Sequence, residues 1–373
     1  MHCDVIITYC WNRVGYNILR SLSSHGLRVI VADTSTKNIC SLSKYNSGYF
    51  IYPDPFTEED AFIECLVNKI NELQPKVLLP THDESVVIMR NRHRFPHDLV
   101  IPYVHERLLL EMADKAESSQ KAQQAGVPIP ELYHHVEDVH SYPVVFKTAI
   151  GNSAKSVFFP ESKEELEKLI DAHQGRKTMI EEFIGGTDYS VDCVRWNGFW
   201  QSSVYQALVT KTKGGGTTTQ RIIVDMPELE MYAKRLLDYV DYQGVCGLDF
   251  RYDNNTGRVA YIETNARFTG GLATPIKAGF DIPWVLYKLS TEGKYEEPIR
   301  IKVGTKTKWI LGDIITLVGR AMTLNLSKAE MKQVFSFKGF DGFDDFYMDD
   351  KKAILGEMIY YFEKLIKNGK LNP

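Results

Sequence analysis

Over roughly its first 105 residues the chain alternates apolar runs with amphipathic stretches. D-V-I-I-T precedes a helical pattern from Val14 to His25, then R-V-I-V-A-D, a second helical pattern from Glu58 to Leu73, and K-V-L-L-P. Strands that are apolar on both faces and separated by helices belong to parallel sheets covered by those helices. In such sheets ligands meet the carboxyl ends of the strands. Here those ends carry Thr8 to Arg13, Asp33, and Thr81-His82-Asp83-Glu84. Thr81, Asp83 and Glu84 are candidates for reading the amino or carboxylate group of a small substrate, whereas His82 suits an ordinary loop histidine. A nicotinamide site would place G-x-G-x-x-G after the first strand, but T-Y-C-W-N-R-V-G offers only Gly15.

The chain of 373 residues is long enough for two or three domains. A net charge of −4 supplies no basic footprint for nucleic acid. Six scattered cysteines without C-x-x-C pairs read as reduced thiols of a cytoplasmic protein. No stretch reaches the roughly 18 apolar residues of a membrane span, and the first residues lack a basic flank and long apolar core. A soluble cytoplasmic protein with no nucleic-acid or membrane partner is expected.

From Leu108 a single helix is predicted up to Gly126, with Lys115 near its start. An α+β region follows. The strand Y-P-V-V-F-K ends in Lys147 and opens a small-residue loop from Gly151 to Ser156, whose N–H groups could cradle a phosphate. T-M-I-E-E-F-I-G-G-T-D is a strand entering a glycine turn, and the backbone of Glu181 to Ile184 could meet an adenine edge while Asp188 accepts from ribose hydroxyls. The polar stretch from Lys211 to Arg221 is either a disordered connection or a lid, with Arg221 a candidate anion contact. Taken singly, the lysines suit the surface and the acids suit exposed strand ends.

The segment from Gly244 to Arg267 gathers the densest chemistry. Two strand-like runs flank D-N-N-T-G, whose residues tolerate positive φ, so they should pair as a hairpin and bring Asp249 towards Glu263. Side chains two apart share a strand face, which aligns Glu263 with Asn265. Oxygen donors without His or Cys suit Mg²⁺ rather than Zn²⁺. Alone, the hairpin also fits a solvated acidic face. Gly270 and Gly271 just beyond it could let backbone N–H groups approach a substrate oxyanion, or form a plain turn. The late run F-S-F-K-G-F-D-G-F-D-D-F-Y suits packing or a subunit contact.

The order of these segments resembles the ATP-grasp superfamily from about residue 1 to 300, with E-T-N-A-R standing where that family has E-I-N-P-R. Within it the chain looks like the carboxylate-amine and carbamoyl-phosphate-synthase-like ligases, including the D-alanine:D-alanine and D-aspartate ligase types. The resemblance implies an α/β and α+β ATP-grasp fold: a Rossmann-like pre-ATP-grasp domain over 1–107 and an ATP-grasp domain over 108–305. The latter divides into a lid subdomain at about 115–187 and a metal-bearing subdomain at about 188–305, and a mostly helical extension covers 306–373.

It further implies that Lys115, Lys147 and the loop residues Gly151, Asn152, Ser153 and Ser156 hold ATP phosphates. Glu181, Glu182, Phe183 and Ile184 would form the adenine hinge, with Asp188 at the ribose. Asp249, Glu263 and Asn265 would bind Mg²⁺, two ions with Mn²⁺ able to substitute. Arg267 and Arg221 would steady the reacting groups, and Thr81, Asp83, Glu84, Gly270 and Gly271 would meet substrate. The implied activity is ATP-dependent joining of a small carboxylate to an amine through an acyl phosphate, and a homodimer is an expected assembly. The alternatives are an ATP-grasp kinase, a bicarbonate-activating enzyme or a non-catalytic nucleotide sensor; biotin carboxylase is disfavoured because no biotinyl domain accompanies the segments.

Overall fold

A computed structural model of the protein describes residues 3–148, 157–212, 215–322 and 336–368. Strands β1 (Val5–Ile7), β2 (Val29–Asp33), β3 (Tyr49–Ile51) and β4 (Val77–Leu79) form a wholly parallel sheet in the order β3-β2-β1-β4. Helices α1 (Arg13–Ser24), α2 (Glu59–Leu73) and α3 (Glu84–Arg90) lie between or after them. The side chains of β1, β2 and β4 are buried throughout, as expected of a sheet covered on both faces. Asn12 starts α1 by accepting from Val14 N at 2.8 Å and Gly15 N at 3.2 Å.

The single helix expected from Leu108 is two helices, α4 (Glu106–Ala113) and α5 (Lys115–Gln124). Asp114 adopts φ −76°, ψ 116° between them, and its carboxylate accepts from Ala116 N at 2.9 Å and Glu117 N at 3.1 Å. The chain breaks because an aspartate cap satisfies N–H groups that a continuous helix would bond to carbonyls. Lys115 thereby becomes the first residue of a helix, and Lys177 anchors the cap from outside at 2.6 Å.

A small antiparallel sheet follows, built from β5 (Leu132–Tyr133), β6 (Val144–Thr148), β7 (Val157–Phe158) and β8 (Thr178–Glu182) in the order β5-β8-β6-β7, with α6 (Lys163–Ala172) against it. It has its own core of Tyr133, Val144, Phe146, Leu166 and Ile180, separate from the main one. The third sheet has seven strands. β9 (Thr187–Trp196), β10 (Phe199–Thr212), β11 (Gly215–Val224), β12 (Gly244–Tyr252), β13 (Val259–Asn265), β14 (Lys306–Lys308) and β15 (Gly342–Phe343) run in the order β13-β12-β9-β10-β11-β14-β15. Helices α7 (Pro227–Tyr239), α8 (Ala273–Ala278), α9 (Ile282–Glu292), α10 (Ile310–Met322) and α11 (Ala353–Asn368) complete the order.

Two expectations change here. Most of the stretch read as a polar loop is strand β11, paired with β10 from Val204↔Val224 onwards; its three consecutive threonines are β-branched residues that favour strands. The segment after residue 305 is helical in large part, yet β14 and β15 also supply one edge of the large sheet.

The small and large sheets meet at Gly186, which has φ +104° and passes so close to β12 that a Cβ would lie 2.0 Å from Tyr252 O. Only glycine fits that crossing.

Replacing Asp114 with alanine removes the α5 cap and the Lys177 anchor. Stability should fall by about 1–2 kcal/mol, seen as a lower urea midpoint.

Candidate active site

The site grows from one register. β12 and β13 pair antiparallel with Asp249 directly opposite Glu263 and Gly247 opposite Asn265. Residues facing each other across a ladder share a sheet face, so the two carboxylates and the amide stand together as the turn chemistry predicts. Asn265 Nδ2 donates to Asp249 Oδ2 at 3.1 Å. Burial, and next to it the Glu263 carboxylate, push Asp249 up to about 7. Lys115, at the head of α5, reaches Glu263 at 3.1 Å.

Lys147 arrives from the small sheet. Its ammonium lies 2.8 Å from Glu181, both side chains only 2% exposed, and donates to Ile262 O at 3.4 Å. Burial pushes the Glu181 carboxyl up while Lys147 opposes it. Two lysines and two glutamates therefore alternate in one cluster beside β13. Glu181 and Glu182 are themselves inside the ladder with β6, and Glu182 N donates to Glu131 O at 2.8 Å. Of the hinge set, Phe183 and Ile184 follow the strand and run towards the crossing at Gly186. Arg258, just before β13, grips Glu182 with both nitrogens, one at 2.7 Å, and so ties the hinge to the hairpin. Asp188 pairs with Arg251 at 3.2 Å. Gly151, Asn152, Ser153 and Ser156 lie outside the described residues.

A cleft opens along this set, lined by Asp83, Lys115, Glu263, Asn265 and Arg267. Arg267 Nε donates to Asp83 Oδ1 at 2.8 Å, joining the large sheet to the parallel one. Burial alone would raise Asp83, but Arg267 and then His82 outweigh it and hold the carboxyl well below the usual range.

The other sequence candidates sit differently. Thr81 and Glu84 are fully buried, in a network that ties β1 to β4 instead of lining the cleft. Glu84 Oε1 accepts from Thr8 Oγ1 at 2.7 Å and Thr81 N at 2.9 Å. Arg221 is 1% exposed and committed to Asp344 at 2.7 Å, with the carbonyls of Thr218 and Gly270 as further acceptors. Gly270 O also accepts from Arg13 Nε at 3.2 Å. A Cβ on Gly271 would stand 2.7 Å from the Tyr205 ring. That glycine is required by packing, and its N–H already donates to Thr269 Oγ1 at 3.2 Å.

One residue escaped the sequence reading. Asp192 on β9 lies directly opposite Gly247, on the face that carries Asp249, and is 2% exposed. Burial pushes it up to about 7, against the opposing pull of Thr269 and then Arg221. The alternation S-V-D in its strand, beside the metal-type strand, was the available signal.

The donor set fits Mg²⁺. Two carboxylates and one amide are hard oxygen ligands, few in number, and two like charges held across a ladder repel unless a cation lies between them. Among the described residues no group of three or more His, Cys, Asp or Glu side chains converges as a metal site. The alternating lysines fit a nucleotide polyphosphate.

Three sheets in this order, with a lysine on the small sheet facing an acidic hairpin of the large one, make an ATP-grasp fold. Residues 174–312 match the family described as "ATP-grasp in the biosynthetic pathway with Ter operon". It is 33% identical over 78 residues to a D-alanine--D-alanine ligase of Fusobacterium nucleatum subsp. nucleatum. That match spans 21% of this chain and only 26% of the ligase. Among solved structures, a biotin carboxylase complex from Campylobacter jejuni aligns with TM-score 0.66 and 18% identity over 81% of this chain and 74% of its own. An L-amino acid ligase from Bacillus licheniformis aligns with TM-score 0.63 and 17% identity, over 81% and 78% respectively. Among the described residues no helix is long and apolar enough to cross a membrane.

A carboxyl whose folded pKa exceeds its unfolded value favours the folded state in acid, and that contribution is lost as pH rises through the folded value. For Asp192 the window runs from the ordinary carboxylate range to about 7. In EDTA, stability should therefore fall between about pH 4 and about pH 7, and Asp192→Asn should restore on the order of 2 kcal/mol at the upper end, measured by urea unfolding at each pH.

Proposed function

We propose that the protein is an ATP-dependent carboxylate-amine ligase that activates a small carboxylate, such as that of an amino acid or peptide, and joins it to an amine. The observation that carries this reading is the Asp249↔Glu263 pairing with Asn265 on the same face and Lys115 on Glu263. Asp249, Glu263 and Asn265 would hold Mg²⁺, two ions on this reading; bound there, Mg²⁺ would offset charge on the phosphate oxygens.

A carboxylate is a poor acyl donor, so an amide bond requires activation. In the first step a carboxylate oxygen attacks the γ-phosphorus, the bond to the β-phosphate oxygen breaks, and ADP leaves an acyl phosphate. In the second the amine attacks the acyl carbon, phosphate departs and the amine gives up a proton. The main obstacle is repulsion between the carboxylate and the polyphosphate, and fixed positive charge lowers it. Lys115 and Lys147 would face the phosphates, each exchanging part of its present carboxylate partner for phosphate oxygen. Arg267, oriented by Asp83, would steady the reacting carboxylate and phosphoryl groups. Phe183 and Ile184 would offer backbone groups to adenine, with Asp188 at the ribose.

Arg221 acts as a positioning residue on this reading. From its pair with Asp344 it holds the Gly270 carbonyl, and through it the turn that follows Arg267. Asp83 contacts substrate only through Arg267, and Thr81 and Glu84 stiffen the floor beneath it.

Glu263→Gln should lower ATP turnover by roughly a hundred- to a thousandfold while leaving the circular dichroism spectrum and melting curve near wild type. The assay is ADP release with amino acids supplied singly and in pairs. Wild-type turnover that needs no acceptor amine would point to phosphorylation as the final step, and full activity in Glu263→Gln would remove the assignment.

A further inference from the structure

Tyr9, two residues beyond β1, has φ 57°, a left-handed conformation uncommon for a bulky residue. Two hydrogen bonds enforce it: Tyr9 N donates to the Tyr52 hydroxyl at 2.8 Å, and Tyr9 O accepts from Thr81 Oγ1 at 3.2 Å. The strained backbone turns the ring out of the core to a partly exposed position. It stacks on His82 with centroids 5.0 Å apart and planes at 23°, and meets Trp11 and Phe56 edge-on at 5.8 and 6.3 Å. Phe56 is 53% exposed. Behind them Trp11 lies flat on Tyr360 of α11, centroids 4.8 Å apart, so the carboxy-terminal helix backs the group.

This aromatic surface adjoins the candidate cleft by direct contacts. His82 Nδ1 is 3.3 Å from Asp83 Oδ2, and Asp83 in turn holds Arg267. Burial and the nearby Arg267 lower the pKa of His82, so at neutral pH its ring is uncharged and free to stack. None of these rings takes part in the phosphate chemistry above. A core cluster would bury them, but Phe56 and the outer edges of Tyr9 and His82 remain open to solvent. Rings fixed at such spacing accept a further planar group edge-on or stacked, and apolar walls beside a few charged groups mark ligand sites.

We infer that Tyr9, His82 and Phe56 form the wall that receives a planar, largely apolar group of one substrate, as in an aromatic amino acid or an aryl carboxylic acid. The inference rests on the ligase reading for what is joined, and on the ring geometry for what is selected. Tyr9 and Phe56 thus set specificity, and the neighbouring Asp83–Arg267 pair marks where the charged end of the same molecule lies.

The test uses the full chain with MgADP and reads binding by titration calorimetry, with phenylalanine and benzoate as planar probes and alanine and acetate as small ones. Wild type should bind the planar probes at least about tenfold more tightly than the small ones, and Phe56→Ala and Tyr9→Asn should each remove about tenfold of that preference. Asparagine is chosen because it tolerates the left-handed backbone, and Phe56 is exposed enough to be truncated without opening the core. Equal affinity for planar and small probes, or an undiminished preference in both variants, overturns the wall. Planar preference without ADP release from any substrate pair upholds the wall and removes the ligase reading. ADP release confined to small substrates, with no planar binding, does the reverse.

Discussion

Two carboxylates placed directly across a ladder, Asp249 and Glu263, are the arrangement around which the rest of the site is organised. Like charges in that position destabilise a sheet, more so when one is buried. The protein answers with positive charge from two other elements. Lys115 stands at the head of a helix created by the break at Asp114. Lys147 ends a strand of a sheet with a separate core, and reaches across to the backbone of β13. Each cation is shared with a second carboxylate or carbonyl, so the cluster is balanced without being locked.

Long-range pairs position this centre. Arg267 binds Asp83 across the boundary between the large and parallel sheets, and Arg258 binds Glu182 across the boundary with the small sheet. The hairpin is thus held at both ends: its turn controls the hinge, and its exit controls the cleft wall. Asp192 shows the opposite policy, a buried acid pushed up to about 7 because burial outweighs the opposing influence of Thr269 and Arg221.

What the sequence revealed depended on the range of the interaction. The hairpin was legible because D-N-N-T-G and the two-residue period act within a few residues, and they place Asp249, Glu263 and Asn265 on one face. The βαβ order was legible for the same reason. The break at Asp114 was missed although A-D-K-A-E carries its signal, an Asp three residues before a Glu, because the surrounding residues are good helix formers. The strand β11 was hidden by its glycines. Arg221 reads as an anion contact from its place at the end of a polar stretch, and Thr81 and Glu84 as substrate contacts from the end of an apolar strand; the partners Asp344 and Thr8 are far off in sequence, and no local pattern announces them. The aromatic wall was equally invisible, since Tyr9, Phe56 and His82 come from three separate loops.

The carbonyl of Gly270 receives both Arg13 and Arg221, and both guanidiniums share Asp344, Arg13 at 3.3 Å. These groups are scattered over more than three hundred positions of chain, so the junction cannot close while the protein is still being synthesised beyond its first two sheets. Until Asp344 emerges, two arginines destined for burial lack their common counter-charge. The cleft wall next to Arg267 is therefore completed only once Asp344 has been synthesised, later than the hairpin that carries Asp249, Glu263 and Asn265.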